Sequence, residues 1–177
     1  MKQRMIITLA VAAAALLAAT AALAGTIVST ATVTGTAGIS LNLPSNPSLS
    51  DTIDGTDQTV SYSPVLGVVD ARGSGAGWNL TVSSTNYSDG AGHTLQPGTV
   101  SAVAQACHTG SSCTAATSSG ITYPLTISST AAKLFNAAAD TGMGKVDVTP
   151  TVQVQIPGNA YAGTYTSTLT LAATTGP

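Results

Sequence analysis

Apolar side chains return at every second position in one segment after another of this chain, the period of a strand with one buried face. The clearest instance is Trp78-Asn79-Leu80-Thr81-Val82, with Trp78, Leu80 and Val82 on one side and Asn79 and Thr81 on the other. Thr164 to Leu171 repeats the pattern: Tyr165, Ser167, Leu169 and Leu171 share a face opposite Thr164, Thr166, Thr168 and Thr170. Similar runs span 38–43, 58–62, 65–70, 99–106, 121–127 and 146–156, and Thr26 to Thr36 is rich in β-branched residues. In Val146 to Ile156 the apolar parity of Val146, Val148, Pro150 and Val152 is expected to change phase near Val154, and Pro150 predicts an edge or a bulge. Helix formers are scarce, and turn signals such as Asp89-Gly90 and Pro157-Gly158-Asn159 separate the runs. Roughly eight to ten short, mostly antiparallel strands spaced this way predict an all-β chain folded as one β-sandwich. One short helix is expected at Ser129 to Asn136, where Ala131, Ala132, Leu134 and Phe135 favour it and Ser129 or Thr130 could cap it.

The N-terminus reads differently. Lys2 and Arg4 precede an apolar run from Met5 to Ala24 that ends in Ala22-Leu23-Ala24, the form of a secretory signal peptide with its small-x-small cleavage site. A membrane anchor is the competing reading of so long an apolar run. The alanine-rich, mildly hydrophobic composition favours cleavage after Ala24, so the expected division is a signal peptide at 1–24 and a domain at 25–177 beginning at Gly25. The remaining basic residues are Arg72, Lys133 and Lys145 against seven aspartates and no glutamate, a formal charge of −4. Such a chain has no electrostatic means of gripping nucleic acid, an anionic membrane or an anionic wall polymer. Any ligand must be held by hydrogen bonds and ring contacts.

Candidate chemistry is sparse. Trp78, the only tryptophan, follows the glycine hinge Gly73, Gly75 and Gly77. The hinge leads into a strand and lacks a following Lys-Ser/Thr, so it is no phosphate loop. The Trp78 ring is read as a core residue, with stacking on a sugar or a peptide as the alternative. Asp70 and Arg72 stand two apart and are expected to pair. Tyr165 is expected in the core with its hydroxyl at the rim. His93, Cys107, His108 and Cys113 are metal-ligand types, but their spacing matches no common zinc site. In an exported chain Cys107 and Cys113 predict a disulfide. Asp51, Asp54 and Asp57 are read as turn formers, with a weak calcium site as the alternative. No carboxylate pair, Gly-x-Ser-x-Gly or His-Asp set marks catalysis, so no enzyme and no cofactor are expected.

Two segments carry a family resemblance. Asp70-x-Arg72-Gly73 followed by Gly77-Trp78-x-Leu80-x-Val82 resembles the proximal motif of WxL domains, the wall-binding modules of Gram-positive surface proteins. Tyr165-x-x-x-Leu169-Thr170-Leu171 resembles the distal motif, with Leu171 where that motif has an aromatic residue. Between them, Lys133-Leu134-Phe135-Asn136-Ala137, Thr141-Gly142-Met143-Gly144 and Ile156-Pro157-x-Asn159-Ala160-Tyr161-Ala162-Gly163-Thr164-Tyr165 are similar to the actinobacterial branch. The resemblance spans roughly Ala31 to Pro177. It implies a secreted, non-catalytic surface protein attached non-covalently to peptidoglycan or another wall polymer, often beside other surface proteins. No Leu-Pro-x-Thr-Gly sorting signal and no C-terminal membrane segment is read in the sequence. The runner-up is a subunit of a surface filament or layer that assembles through exposed, threonine-rich strand edges.

Overall fold

The structure is a computed structural model that describes residues 29–35 and 38–177. The expected signal peptide at 1–24, and positions 26–28 and 36 of the first β-branched stretch, lie outside the described residues. Residues 29–35 are exposed and form no strand. Residues 33–177 make up one compact unit. The strands run β1 (Ile39–Asn42), β2 (Gln58–Tyr62), β3 (Leu66–Asp70), β4 (Trp78–Ser84), β5 (Tyr87–Ser88), β6 (Thr94–Leu95), β7 (Thr99–Cys107), β8 (Leu125–Thr126), β9 (Ala132–Ala137), β10 (Gly144–Ile156) and β11 (Leu169–Thr175).

Every pairing is antiparallel. One sheet has the order β1-β3-β10-β7-β8, with β2 also on β10; a second has the order β11-β4-β9, and β5-β6 is a separate ribbon. The alternation seen in the sequence decides which face each strand buries. Leu66 and Val68 of β3, Val100 of β7, and Val146, Val148 and Val152 of β10 meet Trp78, Leu80 and Val82 of β4 and Leu134 and Phe135 of β9 in one core. This is the sandwich that the spacing predicts.

The expected helix at Ser129 to Asn136 is overturned. No helix forms among the described residues, and Ala132–Ala137 is β9, paired with β4 through Trp78↔Ala137, Asn79↔Asn136 and Leu80↔Phe135. Local helix propensity is worth tenths of a kcal/mol per residue, whereas β9 buries all four residues from Leu134 to Ala137. Both faces of β9 are covered: the 115–123 segment lies over it, with Ser118 Oγ and Ser119 N–H donating to Asn136 Oδ1 and the Tyr123 hydroxyl donating to Leu134 O. The register with β4 also shifts between Leu80 and Thr81, leaving Leu134 as a bulge beside Phe135 with both in the core, so the period of two is lost and the run reads locally like a helix.

Other boundaries move for identifiable reasons. The expected phase change near Val154 does not occur: Val146, Val148, Pro150, Val152 and Val154 are all buried on one parity. The irregularity lies in the partner instead, where Thr151 faces Ala102 and Val152 faces Val100, leaving Ser101 as a bulge in β7. Pro150 lies beside this bulge and at a local edge. On that side β10 pairs with β3 through Val148 and with β2 from Val152, so the missing N–H falls where no ladder bond is required. Pro124 shortens the expected strand at Ile121–Ile127 to Leu125–Thr126. The final strand begins at Leu169, later than its alternation suggests, yet Tyr165, Ser167, Leu169 and Leu171 are half-buried and Thr164, Thr166, Thr168 and Thr170 exposed, as read. Ahead of β11 the chain bridges to β5, with Ser88 and Thr166 exchanging backbone bonds of 2.9 Å.

Cys107 and Cys113 form the expected disulfide. So small a closed loop contributes about 2 kcal/mol by chain entropy. Its larger consequence is positional. Cys113 bridges to Gly144, Thr114 N–H donates to Met143 O, and Gly142 N–H donates to Thr114 O, so the loop fixes the turn between β9 and β10.

Candidate functional site

The proximal motif residues converge at one end of the sandwich. Asp70 closes β3, and the chain doubles back through Gly73, Gly75 and Gly77, all at positive φ, into Trp78. Arg72 clamps this hairpin. Its Nε and Nη2 donate to the two carboxylate oxygens of Asp70, each at 2.8 Å, Nη2 also to Gly77 O at 2.7 Å, and Nη1 to Thr175 Oγ1 at 2.8 Å. The pair is secluded, with the Asp70 side chain 1% exposed and that of Arg72 9%. Hydrogen bonds from the guanidinium hold the Asp70 carboxyl below the usual carboxylate range. Gly77 is required on two counts: its φ is +67°, and a Cβ there would come 2.4 Å from Ala137 O.

Trp78 has no surface to offer a ligand. It is 0% exposed, its Nε1–H donates to Gly142 O at 2.9 Å, and its ring packs on Phe135 with centroids 6.0 Å apart. Leu80 and Val82 continue the same buried row. The distal motif divides between two places. Leu169, Thr170 and Leu171 pair with Ser84, Ser83 and Val82, so the two motifs are neighbouring strands, with Leu169 and Leu171 against the core and Thr170 exposed. Tyr165 is elsewhere, in the wall of a groove.

That groove, of about 790 Å³, opens at the opposite end of β10: Gly144 pairs with Asp70, whereas Val154 and Ile156 line the groove. The two ends are separated by about 30 Å of strand. Four of the five tyrosines line it, Tyr62, Tyr87, Tyr161 and Tyr165, together with the 47–53 loop and the 160–166 segment. Burial, with the Tyr87 phenol beside it, pushes the Tyr62 phenol above its ordinary range. The sequence reading missed this group because it is drawn from separated segments that no spacing connects. The available signal was that tyrosine supplies five of the seven aromatic residues.

The other candidates are structural or dispersed. His93 Nδ1 is 2.5 Å from Asp89 Oδ2, and His108 Nδ1 is 2.9 Å from Asp147 Oδ2. Asp51 and Asp54 accept from Thr52 and Thr56 within their own turns, and Asp57 accepts from Gly158 N–H. Among the described residues no three His, Cys, Asp or Glu side chains come together as a metal site. Among them, too, no helix is long and apolar enough to cross a membrane.

The chain matches no curated protein and no solved structure. The family model of the WxL domain, described as a surface cell wall-binding domain, matches residues 35–177. That span takes in all eleven strands and both motifs. The chain belongs to the WxL family of surface cell wall-binding domains, and its place is the cell surface or wall.

Proposed function

We propose that this is a secreted, non-catalytic surface protein held on peptidoglycan, or on another wall polymer, without a covalent link. The observation that carries the reading is the span of the family match, which makes the wall-binding domain and the folded sandwich the same object. The charge of the expected exported chain supports contact over long-range attraction, since three basic residues face seven aspartates. Asp70, Arg72, Gly77, Trp78, Leu80, Val82, Leu169, Thr170 and Leu171 act in this reading as the frame that holds the domain in shape. A second reading, assembly of copies through strand edges, draws on β2 and β11, each of which pairs with a single neighbouring strand among the described residues.

Co-sedimentation of the purified protein with isolated cell walls tests the proposal. The protein is expected in the pellet, to remain there in about 1 M salt, where exposed charge pairs are screened beyond about 3 Å, and to be released by denaturant. Folded protein left wholly in the supernatant contradicts wall binding. Concentration-dependent growth of particles in an ultracentrifuge, without walls, would favour assembly.

A further inference from the structure

Tyr161 is an aromatic ring placed in water and braced there. It is 64% exposed, and His93 stacks on it with centroids 3.8 Å apart and planes 15° from parallel. Asp89 fixes that histidine, accepting from His93 N–H at 3.0 Å and lying 2.5 Å from its Nδ1. The Tyr165 hydroxyl donates to Tyr161 O at 2.9 Å, tying down the backbone that carries the ring. An exposed ring stacked on one fixed neighbour, on a tethered backbone, costs little further entropy when a ligand stacks on it. Leu49 and Ile53, themselves 39% and 37% exposed, add apolar surface to the groove's lining.

The groove's charge narrows the occupant. Its lining contains no lysine or arginine, and Asp51 is its single charged residue. Anionic wall polymers and the carboxylates of peptidoglycan stem peptides would meet that aspartate with no compensating cation. A neutral sugar chain has the complementary chemistry. Its C–H faces pack on aromatic rings, and its hydroxyl and acetamido groups can exchange hydrogen bonds with phenols. We infer that this groove is the wall-binding site and that it takes the neutral glycan strand of peptidoglycan, with Tyr161 as the stacking platform. The inference rests on the wall-binding reading above and assigns it a site about 30 Å along β10 from the proximal motif.

Calorimetric titration with chains of N-acetylglucosamine, glycan strands that carry no charge, tests the inference, with isolated stem peptides titrated in parallel. The wild-type protein is expected to bind the glycan strands and not the peptides. Tyr161→Ala is expected to weaken glycan binding by about tenfold or more, and Tyr161→Phe to keep it. Because the ring is exposed, the melting temperature of Tyr161→Ala should stay within about 2 °C of wild type. Undiminished glycan binding by Tyr161→Ala overturns the inference. So does wild-type protein that pellets with walls yet binds only stem peptides, an outcome that leaves the wall-binding reading intact. Wild-type protein that pellets with no wall preparation removes that reading and the site together.

Discussion

Trp78→Ala is expected to destabilise the fold by about 3–5 kcal/mol, read as a fall in the denaturant midpoint at unchanged slope. The substitution empties the fully buried position where β4 begins, removes the packing on Phe135, and leaves Gly142 O without its donor. That carbonyl belongs to the turn fixed by the Cys107–Cys113 loop, so the loss extends to the contacts between that loop and the β9–β10 turn. Wall binding should fall only as the folded fraction falls. A variant that melts like wild type but no longer binds walls would make Trp78 a ligand platform after all.

Arg72→Met is expected to cost about 3 kcal/mol at neutral pH, because it strands the Asp70 carboxylate in a buried position. The guanidinium also supplies the donors to Gly77 O and Thr175 Oγ1, so the hinge and the end of β11 lose their clamp together. The pH dependence has a definite sign. Arg72 lowers the Asp70 pKa in the fold below its unfolded value of about 3.9. The pair's stabilisation is therefore complete above that unfolded value and is lost as pH falls through the folded one. The difference between wild type and Arg72→Met should shrink when urea titrations at about pH 7 are repeated near pH 3. A difference independent of pH would assign the loss to packing alone.

How much of this could be read in the sequence depended on how locally each feature is specified. Strands β2 and β4 match their alternating runs because each buries one face only. The glycine hinge was legible because positive φ at Gly73, Gly75 and Gly77 is a property of the residues themselves. β9 was not, because a bulge at Leu134 breaks its alternation and the 115–123 segment covers Asn136, and no pattern within Ala132–Ala137 announces either. Pro150 was read as an edge or a bulge. The structure supplies both, since the site falls between β3 and β2 on one side and beside the β7 bulge on the other. The motifs identified the family but pointed to the frame. The tyrosine groove is assembled from separated stretches of chain by the topology, and only the folded chain brings Tyr62, Tyr87, Tyr161 and Tyr165 together.

Amide hydrogen exchange of the protein bound to isolated cell walls, compared with the free protein, tests most directly the separation of binding groove from structural motif. Protection should increase in residues 47–53 and 160–166, which line the groove, and stay unchanged in residues 70–78 around Arg72 and Trp78. New protection confined to residues 70–78, with the groove exchanging as in the free protein, would contradict the account.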